Sequence, residues 1–185
     1  ARVSDLYAVT GDILHKKGEE QEAFAAYDSC LQWKDDNVMA LNNYAYYLSE
    51  KGVDLHKAES MSYKTIKAEP NNGTYLDTYA WILFMEERYA DAKTYIDQAL
   101  KNRDSTADNS TVIEHAGDIY YMNGMADESV DFWKKAYTGE NQTEVLAWKI
   151  KNRQYITGEE LKKRNAPKQK PAATKKSVRK GKKNK

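Results

Sequence analysis

A small residue returns along this chain at Gly11, Ala45, Ala80 and Gly117, at intervals of 34, 35 and 37 residues. Two further sets keep nearly the same step: Ala23, Ala58, Ala92 and Ser129, then Cys30, Thr65, Ala99 and Ala136. Self-similarity at this period, with apolar residues at helical spacing inside each unit, points to stacked helical hairpins. One hairpin cannot bury its own apolar flank, so a neighbour must cover it. The expected fold is all-α, a right-handed superhelix (α-solenoid) of four helix-turn-helix repeats plus a C-terminal capping helix.

The units fall at about residues 4–37, 38–72, 73–105 and 110–142, with helices predicted over 5–17 and 20–34, 39–50 and 55–68, 75–86 and 89–102, and 112–122 and 126–137. Ser4 reads as an N-cap, and Gly18, Gly52 and Gly124 as the turns inside three of the hairpins. Glu87 stands where the third hairpin would have its glycine, which predicts a strained connection. The polar stretch 103–109 accounts for the longest interval. Residues 143–156 are expected to cap the stack, with Val145, Leu146, Trp148 and Ile150 covering the last repeat and Lys149, Lys151 and Arg153 in water. Residues 157–185 read as a disordered basic tail, because residues 162–185 have only Val178 as an apolar side chain larger than alanine.

Charge divides the chain. Residues 162–185 hold 12 of the 29 basic residues and no acid, which leaves 17 basic residues against all 28 acids in the remainder, a net of −11. The tail leaves three readings open: binding nucleic acid or an anionic membrane surface, acting as an import signal through its bipartite basic spacing, or tethering to its own acidic body. The single cysteine, Cys30, excludes an intramolecular disulfide and reads as a packing residue. No apolar run approaches the length that spans a bilayer. The chain starts inside a patterned segment without an initiator Met, so it reads as a fragment or processed product. That leaves its compartment open between the bacterial envelope or periplasm, should an upstream signal exist, and the cytoplasm.

The pattern resembles the tetratricopeptide repeat. The fourth unit carries it on Ile113, Ala116-Gly117, Tyr120, Gly124, Ser129, Trp133 and Ala136. The first does so on Tyr7, Thr10-Gly11, Leu14, Gly18, Ala23, Tyr27 and Cys30. The second shows Leu41, Tyr44-Ala45, Leu48, Gly52, Ala58 and Pro70, and the third Leu76, Tyr79-Ala80, Leu83, Ala92, Ile96 and Ala99. The array is similar to those of bacterial multi-repeat proteins.

The resemblance implies a scaffold for protein–protein interaction, with the first helix of each pair lining a concave groove. The matching positions place Asp12, Asn42, Asn43, Tyr46, Asp77, Trp81, Phe84, Glu114, Asp118 and Tyr121 on that face: an aromatic centre ringed by carboxylates, suited to a protein or peptide with basic and hydrophobic residues. The alternative reading buries Trp81 and Phe84 under a neighbouring helix. Of the positions that clamp a C-terminal carboxylate in co-chaperone members, here Ala8, Asp12, Asn43, Thr74 and Thr78, only Asn43 fits, which argues against that role.

No catalytic, metal or cofactor site and no small-molecule substrate are expected. His15, His56 and His115 lie in different units, and no phosphate loop or nucleophile motif is present. Glu114 and Asp118 share a helix face and read as solvated carboxylates rather than an acid–base pair. Two rivals to the groove remain: binding through the basic tail, and a purely structural segment of a longer array.

Overall fold

The computed structural model describes residues 2–167, in which ten α-helices and one 3-10 turn are the regular elements. They run α1 (Arg2–Lys16), α2 (Glu20–Trp33), α3 (Val38–Lys51), α4 (Leu55–Ala68), α5 (Gly73–Met85), α6 (Tyr89–Asn102), α7 (Ser110–Met122), α8 (Ala126–Ala136), the 3-10 turn Gly139–Asn141, α9 (Glu144–Asn152) and α10 (Gly158–Asn165). Two units divide the chain, Ala1–Tyr155 and Ile156–Lys185. Within the first, α1 pairs with α2, α3 with α4, α5 with α6 and α7 with α8, and each hairpin packs on the next.

The periodic small residues are where paired helices meet. All twelve are buried. Size is complementary across each pair. Where the first helix has glycine, the second brings a large ring: a Cβ at Gly11 would sit 2.6 Å from Tyr27 Cε1, and one at Gly117 would sit 2.4 Å from Trp133 Cδ1. Where the first helix has alanine, as in the third hairpin at Ala80, the corresponding position on the second helix is the smaller Ile96. Tyr27 and Trp133 are fully buried, so neither ring can swing away to accommodate a methyl group.

The four inner turns share one geometry. The residue after the first helix, or one beyond, takes a left-handed conformation, and its amide and the next bond back to the last helical turn. Gly52 (φ 67°) does this through Ser49 O at 3.0 Å, with Val53 N reaching Leu48 O at 3.2 Å. Glu87 adopts the same conformation (φ 62°) with Phe84 O at 2.9 Å, so the strain expected at this non-glycine residue is present.

Three sequence readings change. Ser4 is no N-cap: it lies inside α1, buried, with its hydroxyl donating to Cys30 O at 3.2 Å and accepting from Asn37 Nδ2 at 3.0 Å. Lys149, expected in water, is 3% exposed. Residues 158–165, read as the start of a disordered tail, form α10, whose N-terminus is closed by a Thr157–Glu160 capping box. Four consecutive polar residues at its end had masked that local signal. The remainder of the basic tail, 168–185, lies outside the described residues.

Gly117→Ala is expected to lower stability by about 1–3 kcal/mol through overpacking against Trp133, against the gain of roughly 1 kcal/mol that alanine brings to an open helix. Urea denaturation measures this, and a stabilised variant would refute the close packing. Glu87→Gly should raise stability by about 1 kcal/mol as the left-handed strain is relieved, read from the same curves.

Candidate functional site

The first helices α1, α3, α5 and α7, joined by α9, form one wall of the stack, and a ladder of polar contacts crosses it from hairpin to hairpin. Asp12 on α1 accepts from the Tyr27 hydroxyl at 2.5 Å and from Asn43 Nδ2 of α3 at 3.0 Å. Asp77 on α5 pairs with His115 Nδ1 of α7 at 2.8 Å. Asp118 on α7 accepts from the Trp133 indole at 2.9 Å and from Lys149 Nζ of α9 at 2.8 Å, while Glu114 takes the same ammonium at 2.9 Å. Asn43 and His115 both stand two residues before the periodic small residue, and Lys149 follows His115 by 34. One repeat position therefore supplies the donor, and the preceding first helix supplies the acid.

This ladder decides which predicted residues are free. Asp118 is withdrawn from the groove: it is 3% exposed and serves as the buried acceptor for Trp133 and Lys149. Glu114 is half of the same arrangement and also accepts from Asn141 Nδ2 at 3.0 Å, so the pair is not a solvated acidic face. Asp12 is satisfied in the same manner as Asp118, by a core tyrosine in place of a tryptophan. Burial alone would lower the Lys149 ammonium, but the Asp118 and Glu114 carboxylates outweigh it and hold it above its ordinary range. Burial would likewise lower the His115 imidazole, and the Asp77 carboxylate overrides it, raising it above 6.5.

The aromatic centre is partly internal. Phe84 is buried, stacked on Trp81 at 4.6 Å between centroids and edge-on to Tyr89 and Tyr155. Trp81 is half-buried, with its other face stacked on His115 at 4.1 Å. Tyr121 is half-buried against Trp133, and Tyr46 lies half-buried beside His115. The neighbouring-helix alternative thus holds for Phe84, while Tyr46, Trp81 and Tyr121 keep part of their surface open.

Four predicted residues, Asn42, Asn43, Tyr46 and Asp77, come together in a cavity of about 600 Å³ between α3, α5 and α7. Thr74 and Thr78, read in sequence as positions of the carboxylate clamp, also line it. The rest of its wall comes from segments not singled out in sequence: Asn71 and Asn72 before α5, Asn102 at the end of α6 with Arg103 and Asp104 after it, and Asp108, Asn109 and Thr111 at the start of α7. Asn42 is 6% exposed and donates to Asn43 Oδ1 at 3.2 Å, while its own Oδ1 is buried without a partner. Hydrogen bonds from the Thr106 hydroxyl and amide hold Asp104 below the usual carboxylate range, and the Ser110 amide and hydroxyl do the same for Asp108. Both stay ionised at neutral pH. Polarity had marked this stretch only as a linker; the recurrence of asparagine at the start of α3, α5 and α7 (Asn37, Asn72, Asn109) is the signal that could have found it.

Among the described residues no group of three His, Cys, Asp or Glu side chains could hold a metal ion, and no helix is long and apolar enough to cross a membrane. No family model matches the chain. It is 35% identical over 66 residues to a TPR repeat-containing protein of Pseudomonas aeruginosa, a match that covers 36% of this chain and spans 11% of that protein. Solved structures show the same architecture. Pseudomonas aeruginosa PilF superposes with a TM-score of 0.69 at 16% identity, over 82% of this chain and 68% of PilF. PilW, described as a type IV pilus biogenesis factor, gives 0.65 at 17%, over 74% of this chain and 62% of PilW. MamA gives 0.58 at 18%, over 73% and 72%. At these identities the likeness is one of fold. Four consecutive hairpins of this kind give the chain the tetratricopeptide-repeat type of helical solenoid fold.

Lys149→Met should cost about 3–5 kcal/mol at neutral pH, because it leaves Asp118 and Glu114 buried without their cation. The loss should shrink as pH falls and Asp118, whose carboxyl burial pushes above its ordinary range, protonates, which paired urea titrations will show. For His115 the folded value is raised, so its stabilisation is complete below 6.5 and is lost as pH rises through the folded value. Melting temperature followed from about pH 6 to 9 should fall more for the parent than for Asp77→Asn; parallel curves would count against the pairing.

Proposed function

We propose that residues 2–155 form a non-catalytic scaffold for protein–protein interaction, and that its working surface is the carboxamide-lined cavity between α3, α5 and α7. The cavity carries this reading. Its volume of about 600 Å³ suits a few residues of extended polypeptide. Asn42, Asn43, Asn72, Asn102 and Asn109 each already donate an amide N–H within the molecule, while Asn42 Oδ1 accepts from none. The lining therefore presents mainly acceptors, which suit the N–H groups of a peptide backbone whatever its side chains. Asp77 is already engaged by His115, whereas Asp104 and Asp108 keep their charge and outnumber Arg103, so the cavity favours a segment carrying lysine or arginine.

Tyr46 forms the apolar side of this cavity, and Trp81 and Tyr121 extend the wall beyond it. In this reading Asp12, Phe84, Glu114 and Asp118 shape the wall without touching the partner. The fold of PilF, PilW and MamA supports the scaffold class, and their partners are not carried over. The comparisons lend no support to nucleic-acid or anionic-surface binding through residues 162–185.

Fluorescence anisotropy with labelled extended peptides, matched in length and differing in lysine, glutamate or serine content, tests the proposal. The lysine peptides should bind best. Tyr46→Ala and Asp104→Asn should each weaken them about tenfold, the loss of one good contact, while circular dichroism stays unchanged. Equal binding of the glutamate set, or variants with unaltered affinity, would defeat it.

A further inference from the structure

The flank of α1 facing away from α3 carries Val3, Leu6, Thr10 and Ile13, a stripe at helical spacing on the first turns of the stack. Leu6 is 69% exposed and Ile13 is 49% exposed. The repeat register gives the meaning of that exposure. Ile13 stands two residues after Gly11, as Ile82 stands after Ala80 and Ile119 after Gly117, and both of those isoleucines are fully buried. Leu6 corresponds to Ala40, also fully buried.

What covers the equivalent flanks is visible inside the molecule. Ile82 packs in one cluster with Ala45, Leu48, Ala58 and Met61 of the preceding hairpin, α3–α4. Ile119 packs in a cluster that includes Ala80, Ala92, Ile96 and Ala99 of the hairpin before it, α5–α6. Thr10 corresponds to Tyr44 and Tyr79, which lie against Tyr27 and Tyr63 of the preceding second helices. Each time the cover is a helical hairpin with small residues along its exit side.

We propose that the open flank of α1 is a docking surface for one more hairpin of this type, stacked ahead of α1–α2 in the register by which α3–α4 precedes α5–α6. The surface is apolar, continuous with the established stacking interface and built from the residue classes that interface uses. A second copy of the chain is the weaker fit. Its own exit side is closed by α9, where Leu146 is fully buried against Val130, Trp133 and Ala136. It therefore has only another α1 flank to offer, which lacks the small-residue exit face that covers Ile82 and Ile119.

The test appends a copy of residues 35–69 directly ahead of Ala1 in the full chain. This keeps the spacing from the added Ala45 to Gly11 at the 35 residues that separate Ala45 from Ala80. The extended chain should melt at least roughly 3 °C higher, and hydrogen exchange in α1 should slow by about tenfold or more. Ile13→Lys should leave the melting temperature of the parent almost unchanged and lower that of the extended chain by several degrees. The proposal is overturned if the appended hairpin leaves α1 exchange unaltered, or if Ile13→Lys has the same effect in both chains. It is equally overturned if sedimentation shows the parent dimerising in a manner that Leu6→Lys abolishes, since the flank would then belong to a second copy.

Discussion

Close approach of two helices at a small residue is the constraint on which everything else in this protein rests. Backbones that meet at Gly11 or Gly117 leave room on the first helix for no Cβ, and the space is taken by a ring from the second helix. That ring then sets the polar requirements of its surroundings. Tyr27 and Trp133 bring a hydroxyl and an indole N–H into the interior, and an acid one residue after the glycine accepts each of them. Asp12 and Asp118 are consequences of a packing choice before they are anything else. The hairpins with alanine use Ile96 and the α4 residues Met61 and Ser62 instead, and the first-helix residues after Ala45 and Ala80 are Tyr46 and Trp81, released to face outward in part.

The ladder along the wall extends this logic from within hairpins to between them. A buried carboxylate beside an aromatic donor still has lone pairs to satisfy, and the next first helix supplies a carboxamide, an imidazole or an ammonium from one repeat position. At α7 the acids are sealed by Lys149, which makes α9 an integral part of the stack. Around Asn42 the accounting is incomplete, with one buried acceptor left open beside a cavity. Among the described residues Ser62 Oγ and Glu86 Oε1 are also buried without a partner, but of the three only Asn42 lines the concave, charged cavity, where an open acceptor suits a hydrogen-bond donor from outside.

Much of the fold was legible in the residues. The hairpin boundaries, the inner turns and the strained Glu87 follow from spacing and local chemistry, because each depends on residues within a few positions of one another. The site was legible only in part. Asn42, Asn43, Tyr46 and Asp77, expected on one face, line a common cavity, whereas Asp118, Glu114 and Phe84 were expected to be open and are not. Their partners, Trp133, Lys149 and Tyr155, come from second helices or from the segment after the fourth hairpin. Periodicity reports which face a residue occupies and is silent about the length of the side chain that reaches over from another element. The loops around Asp104 and Asp108 escaped notice for a related reason, since they fall in the one stretch where the repeat is broken.

Taken alone, the order of amino acids determined a four-hairpin helical stack, the faces that meet inside it and the acidic character of its body, because recurring small residues and helical spacing are properties of local sequence. Tertiary structure decided which charges on the wall remain available and where a cavity opens. Those outcomes turn on pairs such as Asp77 with His115 and Glu114 with Lys149, separated by 38 and 35 residues. A buried charge is neutralised by whatever the fold brings within hydrogen-bonding distance, and that distance exists only once the hairpins have stacked.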